Sequence, residues 1–114
     1  MQLVSQQDDT DGTLTMQVTS AAIDASNCAQ LRASLQSTMT GQHKIIIDLS
    51  KVNFVDSSGL GVLLSCLRQA NDAGQQLVLV GLSESVEALF ELVRMHRLFK
   101  IYETAEDARR ELTR

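Results

Sequence analysis

The sequence predicts a single α/β domain over residues 1–114, a mostly parallel β-sheet with an N-terminal hairpin, flanked by about four α-helices. Three observations predict it. Two short, nearly continuous apolar runs, Ile45-Ile46-Ile47-Asp48-Leu49 and Leu77-Val78-Leu79-Val80, read as strands covered on both faces. A stretch of helical length separates them, so strand, helix and strand form a parallel unit with a right-handed crossover. Upstream, Leu14, Met16 and Val18 alternate with Thr13, Thr15, Gln17 and Thr19, and that period of two marks a half-buried strand.

The elements follow in order. Asp8-Asp9-Thr10-Asp11-Gly12 contains an Asp-Gly step suited to a hairpin turn, so residues 2–7 supply the partner of the alternating strand. Ser26 or Asn27 caps a first helix by accepting a bond from a free backbone N–H. Cys28, Leu31, Leu35 and Met39 follow at helical spacing, and Gly41 ends that helix because glycine tolerates the left-handed cap. A second helix runs from about Ser57 to Asp72 and stops near Gly74. Ser83 caps a third, with Val86, Leu89, Phe90 and Val93 on one apolar stripe. Leu98, Phe99, Ile101 and Tyr102 suggest a short edge strand, and residues 104–113 a last, charged helix.

Bulk properties narrow the function. A domain of 114 residues buries roughly 65% of its unfolded surface, enough for one core without staples. The 44% hydrophobic and 21% charged content fits a folded chain rather than a disordered one. No apolar run approaches the ~18 residues of a membrane span. Met1-Gln2-Leu3-Val4-Ser5 lacks the features of a signal peptide, so the expectation is a cytoplasmic protein with no direct membrane insertion. The net charge of −4 disfavours nucleic acid, which needs clustered Lys and Arg. Arg109 and Arg110 lie among Glu106, Asp107 and Glu111, the pattern of a solvated helix face. Cys28 and Cys66 have no CxxC or Cys/His partner spacing and fall on apolar helix stripes, where a thiol acts as a small hydrophobe.

The segment Val52-Asn53-Phe54-Val55-Asp56-Ser57-Ser58-Gly59-Leu60-Gly61 joins a buried strand to a helix. Asp56 or Ser57 is placed to cap that helix. Its first turn presents unpaired N–H groups and the positive dipole end, which favour an anion by about 0.3–1 kcal/mol. A phosphate on Ser57 is therefore compatible with its own chain. It adds nearly two negative charges beside Asp56, which an incoming partner must meet. Gly59 and Gly61 each cost a helix about 1 kcal/mol relative to alanine. They either clear a flat place for another molecule or permit close packing on a neighbouring strand. Leu64 breaks the GxGxxG pattern and no GKS or GKT follows, so a phosphate-binding loop is weakly supported.

The run from Ile47 to Leu64, with Asp56-Ser57-Ser58-Gly59-Leu60-Gly61 at its centre, resembles the signature of STAS domains, most closely those of anti-sigma factor antagonists. Ile23-Asp24-Ala25-Ser26-Asn27 with Leu31 and Leu35, and Leu77 to Leu82 with Val86 and Leu89, extend the resemblance over nearly the whole chain. It implies a partner-switching role. The unmodified antagonist binds a serine kinase that doubles as an anti-sigma-type regulator. Phosphorylation of the serine matching Ser57 releases it, and a metal-dependent serine phosphatase restores binding. The kinase supplies ATP and its metal, so the chain itself needs no cofactor. The resemblance places Asp24 near the phosphorylation site and Asp56 just before it, although Ala22 stands where a glutamate-like residue is usual. Ser58 is the alternative acceptor. Two other roles of STAS-like chains stay open: a constitutive accessory subunit of an ABC lipid transporter, and a nucleotide-binding domain.

An enzyme is not expected. Nothing else supports reading Asp24 and Asp56 as a catalytic carboxylate pair, Asp56 serving as easily as a cap; His43 and His96 lie in polar stretches and no GxSxG elbow accompanies them. No catalytic, cofactor-binding or metal residue is assigned. Leu60, Leu63, Leu64 and Leu67 make an apolar stripe, a pattern more often core than interface. Val62 and Ser65 then fall off that stripe, so Asp24, Asp56, Ser58, Gly59, Leu60, Gly61 and Val62 are expected to form the partner-binding surface around Ser57.

Overall fold

A computed structural model describes residues 3–8 and 12–112 of the chain. Strands β1 (Val4–Asp8) and β2 (Thr13–Val18) pair antiparallel, with Val4 opposite Val18 and Asp8 opposite Leu14. This is the expected hairpin, although residues 9–11 of its turn lie outside the described residues. There follow β3 (Ala22–Ile23), α1 (Cys28–Met39), β4 (Lys44–Asp48), β5 (Phe54–Val55) and α2 (Ser57–Ala73). The chain continues with β6 (Gln76–Val80), α3 (Glu84–Leu92), a 3-10 turn over Met95–Arg97, β7 (Lys100–Tyr102) and α4 (Ala105–Leu112).

Five strands make one sheet in the order β1-β2-β4-β6-β7, and every pairing from β2 to β7 is parallel. Successive side chains of a strand point to opposite faces, so the two apolar runs feed two cores. Ile45 and Ile47 of β4 and Leu77 and Leu79 of β6 join Leu14, Met16 and Val18 in a large core. There they meet Leu31 and Leu35 of α1, Leu63 and Cys66 of α2, and Val86 and Phe90 of α3. Ile46, Val78 and Val80 face the other way, onto Ala108 and Leu112 of α4.

The strand read as half-buried is buried on both faces, since Thr13 and Thr15 are only 1% and 9% exposed. β2 lies inside the sheet, with Thr15 flanked in register by Gln7 on β1 and Ile46 on β4. A period of two detects the more apolar face and is silent about what covers the other.

The helix stops match their glycines. Gly41 follows α1 with φ +82° and Gly74 caps α2 with φ +70°, both in the left-handed region that residues with a Cβ avoid. The α3 stripe ends sooner than its periodicity suggests. Val93 lies beyond the helix and is exposed, because Arg94 takes a left-handed conformation (φ +63°) and turns the chain into the 3-10 segment. Met95 is buried there instead. Cys66 lies fully inside the core, where burial pushes its thiol up to about 11 and keeps it neutral.

Candidate functional site

Two strands of two residues each build the site. β3 and β5 pair in parallel, Ala22 with Phe54 and Ile23 with Val55, apart from the main sheet. The ladder is extended by Asn53 N–H donating to the Ala21 carbonyl at 2.7 Å and Asp56 N–H donating to the Ile23 carbonyl at 3.2 Å. This pairing brings the residue after β3, Asp24, and the residue after β5, Asp56, to one rim. They are 32 positions apart in sequence, and segments this short give no periodicity to read.

Asp56 caps α2 with extended backbone (φ −99°, ψ −173°). Its Oδ1 accepts from Gly59 N–H at 3.0 Å, satisfying one of the free donors of the first turn. Its Oδ2 accepts from Ala25 N–H at 3.2 Å. One carboxylate thus caps the helix and clamps the loop after β3. The cap is Asp56 rather than Ser57, resolving the alternatives left open by the residue pattern.

Asp24 is held by its own loop. Its Oδ1 accepts from Ser26 N–H at 2.9 Å and from the Ser26 hydroxyl at 2.5 Å. These bonds, led by the hydroxyl, hold its carboxyl below its ordinary value and keep it ionised. Asn27 occupies the N-cap position of α1 but does not cap it. Its side chain turns back, accepting from Asp24 N–H at 3.0 Å and donating to the Ala22 carbonyl at 2.8 Å. The sequence reading of Ser26 or Asn27 as a cap therefore fails in detail. Both side chains serve the Asp24 loop instead.

Ser57 is the first residue of α2 and is exposed. Among the described residues its hydroxyl has no hydrogen-bond partner. Ser58 is half-buried. Of the two, Ser57 offers its oxygen more freely to an incoming molecule.

The two glycines separate cleanly. A Cβ on Gly59 would stand 2.4 Å from the Ile23 carbonyl oxygen and 2.8 Å from a Val55 methyl, so Gly59 lets α2 seat against the small sheet. A Cβ on Gly61 would meet nothing within 4 Å. Close packing explains Gly59, and open surface surrounds Gly61.

Gly59 also sets the rotation of the helix and corrects the expected docking surface. With Gly59 inward, Val62, Leu63, Cys66 and Ala70 follow it inward at i+3, i+4, i+7 and i+11, and all are buried. Val62 is 0% exposed and is not available to a partner. Gly59 is likewise buried. Leu60, Leu64 and Leu67, expected in the core, are only partly buried along its margin. Helical spacing of the largest apolar residues selects the leucine stripe, whereas a close helix–strand contact needs the small residue inside.

The accessible rim is therefore Ser57, Ser58, Leu60 and Gly61 on α2, with Asp24, Ser26 and Asp56 beside them. Phe54, 56% exposed on β5, was not foreseen as a surface residue. It stands between polar Asn53 and apolar Val55, and its residue type alone suggests burial. His43 and His96 are exposed and belong to other elements. Among the described residues no three His, Cys, Asp or Glu side chains gather as a metal site, and no helix is long and apolar enough to cross a membrane.

A family model described as the STAS domain matches residues 5–108. A Thermotoga maritima protein provisionally named an anti-sigma factor antagonist is 36% identical over 74 residues, 65% of this chain and 66% of that protein. The alignment thus spans just under two thirds of that relative's length. A Thermotoga maritima crystal structure provisionally assigned to the same class superposes with a TM-score of 0.85 at 25% identity, covering 97% of this chain and 95% of that one. The Bacillus cell fate determinant SpoIIAA in its phosphorylated form shares the fold, with a TM-score of 0.69 at 20% identity over 96% and 98% of the two chains.

Proposed function

The chain belongs to the STAS domain family, and from that premise we propose that it is a phosphorylation-controlled anti-sigma factor antagonist in a partner-switching module. The unmodified form binds a serine kinase that also acts as an anti-sigma-type regulator. Phosphorylation of Ser57 releases it, and a metal-dependent serine phosphatase reverses the change. One observation carries this reading: the Ser57 hydroxyl is exposed and, among the described residues, has no hydrogen-bond partner, at the first position of a helix whose cap is already supplied by Asp56.

The physical consequences follow from that placement. The fold does not use the Ser57 oxygen, so modifying it leaves the cap and the clamp in place. A phosphate there adds nearly two charges beside the carboxylates of Asp24 and Asp56. On the partner's approach these charges must be stripped of water or matched, which costs several kcal/mol if they are not. The open surface at Gly61 and the half-exposed Leu60 provide room and apolar contact next to the switch. The relatives named as anti-sigma factor antagonists are regulators, which supports a binding role rather than catalysis.

Intact-mass analysis of the protein isolated from its native cells, with the site mapped, tests the proposal directly. A single added phosphate on Ser57, absent from Ser57→Ala, is expected. Co-purification with an ABC ATPase and no phosphorylated form would replace this reading by that of a constitutive accessory subunit.

A further inference from the structure

A concave groove of about 620 Å³ opens between α3 and β7, and none of its lining residues belongs to the Ser57 rim. Its size falls within the usual range of binding pockets. Leu82 and Ile101 line it as half-buried apolar side chains, together with buried Phe90. Glu87 and Glu91 of α3 and Glu103 after β7 give it three carboxylates, all on exposed residues. No lysine or arginine lines it. Among the described residues none of these carboxylates is in an ion pair. Its one histidine, His96, turns a ring nitrogen toward the Phe90 carbonyl at 3.5 Å.

This is an unusual use of charge. Glu87 and Glu91 stand one turn apart on the same helix, a like-charge pair that weakens an isolated helix. Glu103 adds a third negative charge across the groove without a counter-ion. A cation entering here gains attraction from all three, and the apolar lining rewards a hydrocarbon group at the same time. The carboxylates do not converge as metal ligands, and their sign repels nucleic acid. A chain bearing both basic heads and apolar side chains matches both features.

We propose that the groove between α3 and β7 binds a basic peptide segment of a partner protein. Its arginine or lysine heads lie on Glu87, Glu91 and Glu103, and an intervening apolar side chain lies on Leu82 and Ile101. The proposal is independent of whether Ser57 is phosphorylated.

The test uses the full chain and a short fluorescein-labelled peptide alternating arginine and leucine. Anisotropy should give saturable binding, with amide shifts in the ¹H–¹⁵N spectrum confined to α3, β7 and the residues between β6 and α3. The variant Glu87→Gln/Glu91→Gln/Glu103→Gln should bind at least about tenfold more weakly, since a matched charge contact is commonly worth that much. A control, Asp8→Asn/Asp72→Asn/Glu106→Gln, removes the same net charge elsewhere and should bind as the parent does. The proposal is overturned if both triple variants weaken binding equally, which would mean bulk charge attraction. Shifts centred on the Asp24–Ser57 rim, or no saturation, overturn it too. Circular dichroism of each variant separates lost binding from lost folding.

Discussion

The start of α3 is tied to the segment that leads through β5 into α2, the Ser85 hydroxyl donating to the Asn53 carbonyl at 2.8 Å. The two helix starts are built in opposite ways. At α3, Ser83 is the cap, its hydroxyl oxygen accepting from Val86 N–H at a long 3.4 Å. Glu84 and Glu87 lie in the first turn, where carboxylates suit the helix dipole. Ser83 and Ser85 are thus both engaged by the fold. At α2 the first turn holds no acidic residue. Asp56 performs the capping from outside the helix and also ties down Ala25, while the Ser57 hydroxyl has no partner among the described residues. The α3 start is arranged for its own stability. The α2 start is secured from beneath and chemically bare on top, which is what a modifiable surface requires.

The largest test of this contrast is Gly59→Ala. Its new methyl would strike the Ile23 backbone oxygen, and backbone cannot step aside as a flexible side chain can. Urea unfolding should show a loss of about 3 kcal/mol, the upper end of overpacking costs. Ser57→Asp should do the reverse in kind. Its affinity for the cognate kinase should fall about a hundredfold, or about 2.7 kcal/mol, with stability changed by less than about 0.5 kcal/mol. Equal binding of the two forms by calorimetry would sink the switch.

Caps give the next smaller effect. Asp56→Ala should cost about 1–2 kcal/mol, because it removes the cap and the clamp on the Ala25 loop together. Ser83→Ala should cost less than about 1 kcal/mol, given its long bond. If Ser83→Ala proves the costlier, the contrast drawn between the two helix starts is wrong. Gly61→Ala should stabilise the helix by about 0.5–1 kcal/mol, since open space surrounds it.

The smallest effect concerns Asp24. Its carboxyl is lowered in the folded state, so it contributes stability above its unfolded value and loses that contribution as pH falls through the folded one. An NMR titration should place its midpoint below 3.8, and Ser26→Ala should move the midpoint upward.

Much of the molecule was legible before any coordinates. The two apolar runs, the antiparallel pairing of β1 and β2, the Gly41 and Gly74 stops and the Ser83 cap are local signals, each carried by a few adjacent residues whose backbone preferences are strong. The helix start at Ser57 is a local signal of the same kind, and the resemblance to STAS domains made it the candidate site. Other features depended on residues far apart in sequence. The β3–β5 pair is too short to show a period, yet it carries Asp24 to Asp56. The rotation of α2 hinges on Gly59 meeting the Ile23 carbonyl, a contact across 36 positions, and it turned Val62 inward against expectation. Sequence determined the longer strands and helices and where a serine opens a helix. Tertiary packing decided which side of that helix faces out, because the tightest contact sets the rotation and every residue on the helix follows it.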